Sequence, residues 1–225
     1  EMLRSLVGSE MCIRDRIMST VYLSTAYFAP VSYYASFLRY DRIVIEQWCN
    51  YTKQTYRNRC HIAGANGLLA LSVPIVKPDT IKCPTKDIRI SDHGEWRHLH
   101  WNAIASAYGS SPFFEYYQDD IRPFFEKQYE FLLDFNEEIR RTVCNLIGIE
   151  PHIEYSSSYS EPAPGETDLR DAIHPKKRKA ETILPVQPKP YYQVFSEKYG
   201  FQPDLSIIDL LMNIGPESIL ILQNA

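Results

Sequence analysis

Between Thr20 and Gln47 the chain sets two short β-branched runs on either side of one aromatic, helix-spaced segment, and this succession constrains the fold more than any other feature. Thr20 to Tyr27 (TVYLSTAY) suits a buried strand. Pro30 ends it and is placed to open a helix, where its missing N–H costs nothing. Val31 to Tyr40 then clusters Tyr33, Tyr34, Phe37 and Leu38 at i, i+3 and i+4. Asp41 precedes a second strand, Arg42 to Gln47. Strand, short helix and strand in this order predict a βαβ unit with parallel strands.

Downstream, residues 54–62 and 68–76 alternate around Ala63 to Gly67, and Asn66-Gly67 is a strong hairpin signal because both residues tolerate positive φ. Leu69, Leu71, Val73 and Ile75 keep the period of two expected of a half-buried strand. A further strand is expected over Thr85 to Ile90. The middle reads as helical. Ser91 or Asp92 caps a helix containing Trp96 to Tyr108, with Leu99, Ala103 and Ala107 as its inner stripe. Ser111-Pro112 starts the next. Asp134 and Glu137 form a capping-box pair for a third, which Gly148 stops. Residues 156–190 are rich in proline, serine and lysine and poor in aliphatics, which predicts a mobile surface flap. Two short helices follow, over Tyr191 to Tyr199 and Ser206 to Met212, the second capped by Ser206. The expectation is an α/β fold: a small mixed sheet with an N-terminal strand-helix-strand unit, a hairpin, central helices and a C-terminal helical return.

The first seventeen residues, EMLRSLVGSEMCIRDRI, have no signal-peptide h-region and read as a non-native, adaptor-like extension. A single domain is then expected over 18–222. The five cysteines show no C-x-x-C pair, and a chain of 225 residues does not need disulfides, which points to a reducing, cytoplasmic compartment. A net charge of −4 argues against broad nucleic-acid binding, which depends on many Lys/Arg–phosphate contacts. No run of 18 apolar residues is present to span a membrane.

Several blocks carry a family resemblance. LSIIDLLMNIGPES (Leu205 to Ser218) resembles the C-terminal LSIIDLLFNxGPE block of the WbqC-like family. KQTYRNRC (Lys53 to Cys60), ISDHGEWRHLHWNAIASAY (Ile90 to Tyr108) and YYQVF (Tyr191 to Phe195) resemble three other blocks of that family. Its first block usually reads Q-P-x-Y-F-P; here Ser24 and Thr25 stand in place of Gln-Pro. The resemblance runs from about Val21 to Leu222, with a shorter mid-chain insert than many relatives carry, as in a compact branch. It implies a bacterial role in O-antigen-like surface-polysaccharide assembly.

The N-terminal unit has the rhythm of nucleotidyltransferase-like α/β folds without their H-x-G-H histidines, so it supports a ligand cleft at the strand C-termini and nothing stronger. Lys53, Arg57, Asn58 and Arg59 follow the second strand and offer donors for a phosphate, or else decorate a solvated strand edge. His98 has the side chain of a general base near neutral pH, and Arg97, Trp101 and Asn102 beside it suit substrate orientation. Asp209, a carboxylate in an apolar run, needs a partner, for which Arg57, Arg59 or His98 are proposed, and Asn213 lies one turn on. His174 sits on the flap ahead of Lys176 to Lys179. His61, His93, His98 and His100 do not match a zinc spacing, and no P-loop, dinucleotide fingerprint or G-x-S-x-G is present, so neither metal nor cofactor is expected. The leading reading is a transferase acting on a phosphate-bearing, nucleotide- or carrier-linked amino sugar by acyl or aminoacyl transfer. His98 and Asp209 would be catalytic. Lys53, Arg57, Asn58, Arg59, Arg97, Trp101, His174 and Asn213 would bind substrate in one shared cleft. A non-catalytic binding protein working with enzymes of the same pathway is the alternative, and a metal- or cysteine-dependent hydrolase ranks last.

Overall fold

A computed structural model describes residues 19–78, 80, 82–176 and 188–225. The adaptor-like residues 1–17 and the basic run Lys177 to Lys179 lie outside the described residues.

The βαβ unit forms as its sequence demands. Strand β1 (Thr20–Ser24) leads through Pro30 into helix α1 (Val31–Arg39) and on to β2 (Arg42–Glu46), which pairs with β1 in parallel. Every residue of β1 is buried, which is why its apolar run does not alternate. Strand β3 (Arg59–Gly64) and strand β4 (Gly67–Ser72) make the antiparallel hairpin. Its two-residue turn is Ala65-Asn66, one position earlier than the Asn-Gly signal suggests. Gly64 pairs with Gly67, and Gly67 takes the positive φ of 106°.

Helices α2 (Trp96–Tyr108), α3 (Phe114–Ile121) and α4 (Leu132–Ile147) follow. Strand β5 (Ile153–Tyr155) then pairs with β2, and β6 (Thr167–Asp168) with β1, giving a parallel sheet of order β5-β2-β1-β6. A short helix α5 (Ser196–Tyr199) precedes α6 (Ile207–Ile214) and α7 (Ser218–Gln223), which pack against α1, α2 and α3. Ser206 caps α6 by accepting from the Ile208 N–H.

Several local expectations are corrected. Thr85 to Asp87 form one 3-10 turn instead of a strand, and within Thr85 to Ile90 the isolated β-bridges are made by Arg89 and Ile90. The buried face of α2 is Trp96, His100, Ile104, Ala107 and Tyr108, while Leu99 is 60% exposed. Tryptophan and histidine take the inner face because Trp96, Tyr27 and Phe125 form an aromatic cage around His100. Asp134 and Glu137 form no capping box: Glu137 turns instead to Arg140 Nε at 2.7 Å and to the Tyr155 hydroxyl at 2.7 Å, tying α4 to β5. Gly148 does stop α4, with φ of 78°. The Tyr191 to Tyr199 helix shrinks to Ser196–Tyr199. Of the segment read as a flap, residues 177–187 lie outside the described residues, and the part before them contributes β6 and packs Leu169 and Ile173 into the core.

Candidate functional site

The sheet order places a switch point between β1 and β6. From β1 the chain moves to β2 on one side, and β6 arrives on the other. Ligands of open α/β sheets bind at the carboxyl ends of strands flanking such a point. Here Ser24 and Glu46 end β1 and β2 as register partners, and Asp168 ends β6. The loops beyond these ends enclose a crevice of about 490 Å³ lined by Cys49, Thr52, Arg57, Tyr159, Asp168 and Arg170, among others. A separate void of about 10 Å³ is bounded by Ser24, Thr25, Tyr56, Arg57, Leu169 and Ile173.

Arg57 is the centre of this site. Its backbone is fixed from two sides, the Asn136 amide of α4 donating to its carbonyl at 2.8 Å and the Thr55 hydroxyl accepting from its N–H at 3.4 Å. Its neighbours are pinned as well, since Tyr27 N–H donates to the Tyr56 carbonyl and Val73 N–H to the Asn58 carbonyl. The side chain is 4% exposed. Nη2 donates to the Ser24 hydroxyl at 2.7 Å and lies 3.5 Å from Cys49 Sγ. Nε is buried with no partner, and no carboxylate pairs with the guanidinium among the described residues. A buried cation without a counter-ion is costly, and an anionic ligand in the crevice would offset that cost. Arg170 differs. Its Nε and Nη2 bind the Asp168 carboxylate at 2.9 and 2.6 Å, and its Nη1 lies 3.7 Å from the fully buried Glu46. Burial works to raise the Asp168 carboxyl, but the hydrogen bonds from Arg170 outweigh it and hold the group below its usual range. Glu46 also accepts from the Ser156 hydroxyl and the Trp48 N–H. Arg170 is thus a neutralised strut, whereas Arg57 has no ion-pair partner among the described residues.

The other sequence candidates are scattered. Lys53 is exposed. Asn58 donates to the Val73 carbonyl at 2.8 Å, and Arg59 Nε to the Ser72 hydroxyl at 2.8 Å, so both serve the hairpin. His98, Arg97 and Trp101 line a separate pocket of about 390 Å³ with Arg122 and Glu126. There His98 Nε2 meets Asn102 Nδ2 at 2.8 Å, and Arg97 binds Asp92 at 2.8 Å and stacks over Trp96. His174 lines a third pocket together with His61. Asp209 and Asn213 open on none of these. Asp209 is fully buried and accepts from the Tyr108 hydroxyl at 2.9 Å, the Tyr191 hydroxyl at 2.8 Å and Gln193 Nε2 at 2.9 Å. Its partners are therefore two tyrosines, a glutamine and, at 3.4 Å, the Asn213 amide, not Arg57, Arg59 or His98. Asn213 Nδ2 donates to the Asp209 carbonyl at 2.8 Å. Burial pushes the Asp209 carboxyl up to about 6, against the three hydrogen bonds that favour its charge. The shared cleft expected of these residues does not form, because the need for a partner at Asp209 is met inside the core.

Sequence reasoning missed Glu46, Asp168, Arg170 and Cys49. Glu46 carried a signal, as the one acidic residue ending an apolar strand. Arg170 carried none, since it sits in a stretch with the texture of a surface loop. No cluster of three or more His, Cys, Asp or Glu side chains is placed to hold a metal ion among the described residues. None of the described helices is long and apolar enough to cross a membrane. The four described cysteines are free thiols.

The chain is similar to the uncharacterized protein Rv1507c of Mycobacterium tuberculosis, 26% identical over 214 residues, covering 85% of this chain and 89% of that protein. No solved structure matches. The sequence model of the WbqC-like protein family matches residues 25–221, which takes in every wall of the crevice, and the chain belongs to that family.

Proposed function

We infer that the crevice at the strand carboxyl ends binds the phosphate of a nucleotide- or carrier-linked amino sugar. On this reading the protein is a cytoplasmic biosynthetic transferase of bacterial surface-polysaccharide assembly, moving an acyl or aminoacyl group onto the sugar amine. The observation that carries it is Arg57, a buried guanidinium with no carboxylate partner among the described residues, lining a crevice large enough for a small molecule. The switch-point position and the family resemblance support the same reading.

A non-catalytic binding role in the same pathway is favoured by one observation. The expected general base His98 lies in a different pocket from Arg57, and Asp209 is sealed in the core. The test is a titration with UDP- and dTDP-linked amino sugars, followed by incubation with acyl-thioester and aminoacyl donors and mass analysis of the sugar. Binding that falls about tenfold or more in Arg57→Gln, with the fold retained, supports the site. Acylated product separates transferase from binding protein. Undiminished binding in Arg57→Gln refutes the site.

A further inference from the structure

The crevice that Arg57 lines carries more than a cation. Two arginines, Arg57 and Arg170, and three carboxylates, Glu161, Asp168 and Asp171, share its lining. Arg170 and Asp168 satisfy each other, with Nη2 2.6 Å from the carboxylate. Glu161 and Asp171 are exposed and make no hydrogen bond or ion pair among the described residues. One space of about 490 Å³ therefore holds one buried cation and two carboxylates that lack ionic partners among those residues. Once an anion rests on Arg57, the remaining lining is negative. That disfavours a second phosphate and favours a cationic group beside the first.

The same crevice presents an aromatic ring. Tyr159 lines it and stays 56% exposed. The Arg170 guanidinium lies over the Tyr159 ring at 5.5 Å and over the Tyr22 ring at 5.7 Å. Because Asp168 fixes Arg170, one face of Tyr159 rests on a planar support, and the exposure of the ring falls on its other face and edges. A ring supported in this way offers a flat apolar surface for the ring of a ligand.

We propose that the hexosamine ring lies in the same crevice as its phosphate, stacked on Tyr159, with its ammonium group held by Glu161 and Asp171. The inference rests on the reading of the crevice as a phosphate site. A hexosamine 1-phosphate combines the three features that the lining complements: an anion, a cation and a ring with an apolar face. The volume falls within the roughly 300–1,000 Å³ that small-molecule sites span. A nucleotide or carrier attached through a second phosphate extends outside the crevice. Acylation removes the charge of the amine, so an acylated sugar keeps its hold on Arg57 and Tyr159 and loses its attraction to the two carboxylates.

Ligand-observed NMR titration of the intact chain at neutral pH tests this with five probes: inorganic phosphate, glucose 1-phosphate, glucosamine 1-phosphate, N-acetylglucosamine 1-phosphate and uridine 5′-monophosphate. Glucosamine 1-phosphate is expected to bind about fivefold tighter than glucose 1-phosphate or the N-acetyl form, as one or two partly exposed ion pairs provide, and tighter than uridine 5′-monophosphate. Replacing both carboxylates, Glu161→Gln with Asp171→Asn, should abolish that preference without weakening glucose 1-phosphate. Tyr159→Ala should weaken the sugar phosphates and spare inorganic phosphate, while Arg57→Gln should weaken every probe. Circular dichroism checks that each variant is folded. Four results overturn the ring subsite: equal affinity for glucosamine 1-phosphate and its N-acetyl form, a preference that survives the double substitution, sugar phosphates indifferent to Tyr159→Ala, or tighter binding of uridine 5′-monophosphate. In each case phosphate binding that still depends on Arg57 leaves the phosphate site standing. Phosphate binding that is absent, or unchanged in Arg57→Gln, overturns both.

Discussion

Asp209 and His100 make the stability of this protein depend on pH in opposite senses, and removing either one should expose the other. Asp209 is fully buried and its carboxyl is pushed up to about 6 by burial. An unfolded aspartate titrates near 3.9, so between about pH 4 and 6 the folded state holds the extra proton and stability falls as pH rises. At about 1.4 kcal/mol per pH unit, a shift of about two units amounts to about 3 kcal/mol, fully present as stability below pH 4 and lost above pH 6. His100 is 6% exposed, and burial pushes its imidazole down to about 4. The unfolded group titrates near 6.5, so in this window the unfolded state binds the extra proton and stability falls as pH drops, by about 3 kcal/mol in all. The two contributions nearly cancel in the native protein. Urea unfolding followed by tryptophan fluorescence at half-unit steps from pH 4 to 7 measures them. Asp209→Asn should show stability rising by about 3 kcal/mol from pH 4 to 6.5 relative to the native protein, and His100→Gln should show it falling by a similar amount. Each substitution also changes packing and hydrogen bonds, but that offset is constant with pH and only the slope of the difference is read. Difference curves that are flat across the window would refute the account.

Other outcomes follow from the same geometry. Gly215 has φ of 64°, and a Cβ there would meet the Phe113 ring at 2.5 Å, so Gly215→Ala should cost about 1–3 kcal/mol; a Tm unchanged within error would count against the clash. Deleting residues 1–17 should leave cooperative thermal unfolding and Tm unaltered, and a large loss of either would show that the segment belongs to the fold. Arg170→Ala removes the strut from Asp168 and Glu46, so limited proteolysis should newly cut between Ser156 and Lys176; cleavage there at the same rate in the native protein would mean that the strut does not hold the segment.

The architecture was legible where local signals and tertiary need agree. β1, α1 and β2 were readable because β-branched runs, a proline at the helix entry and aromatic residues at helical spacing all point the same way. The hairpin and the Gly148 stop were readable because positive φ leaves a residue signature. The face of α2 was not, since a rule that seeks leucine and alanine inside cannot know that Trp96 and His100 meet an aromatic cage supplied by Tyr27 and Phe125. β6 is two residues long and pairs because Val21 and Tyr22 present an open edge, a property of β1 and not of Thr167 or Asp168.

The candidate site divides along the same line. An arginine block after β2 pointed to anion chemistry, and Arg57 is the residue of that block on which the proposed anion site rests. A buried carboxylate in an apolar helix equally pointed to a cationic partner, and there the inference failed. Both rest on one premise, that an isolated buried charge must be compensated. A carboxylate accepts hydrogen bonds only, so the hydroxyls of Tyr108 and Tyr191 and the amide of Gln193 satisfy Asp209 within the protein. A guanidinium has five donors in a rigid fork, and here one hydroxyl and one sulfur engage a single nitrogen of Arg57. The sequence holds many residues able to donate to a carboxylate. Opposite Arg57 it places only Ser24 and Cys49 as acceptors among the described residues, both at Nη2, and leaves Nε without one; that difference in satisfiability, visible only once the chain is folded, is what the proposed anion site rests on.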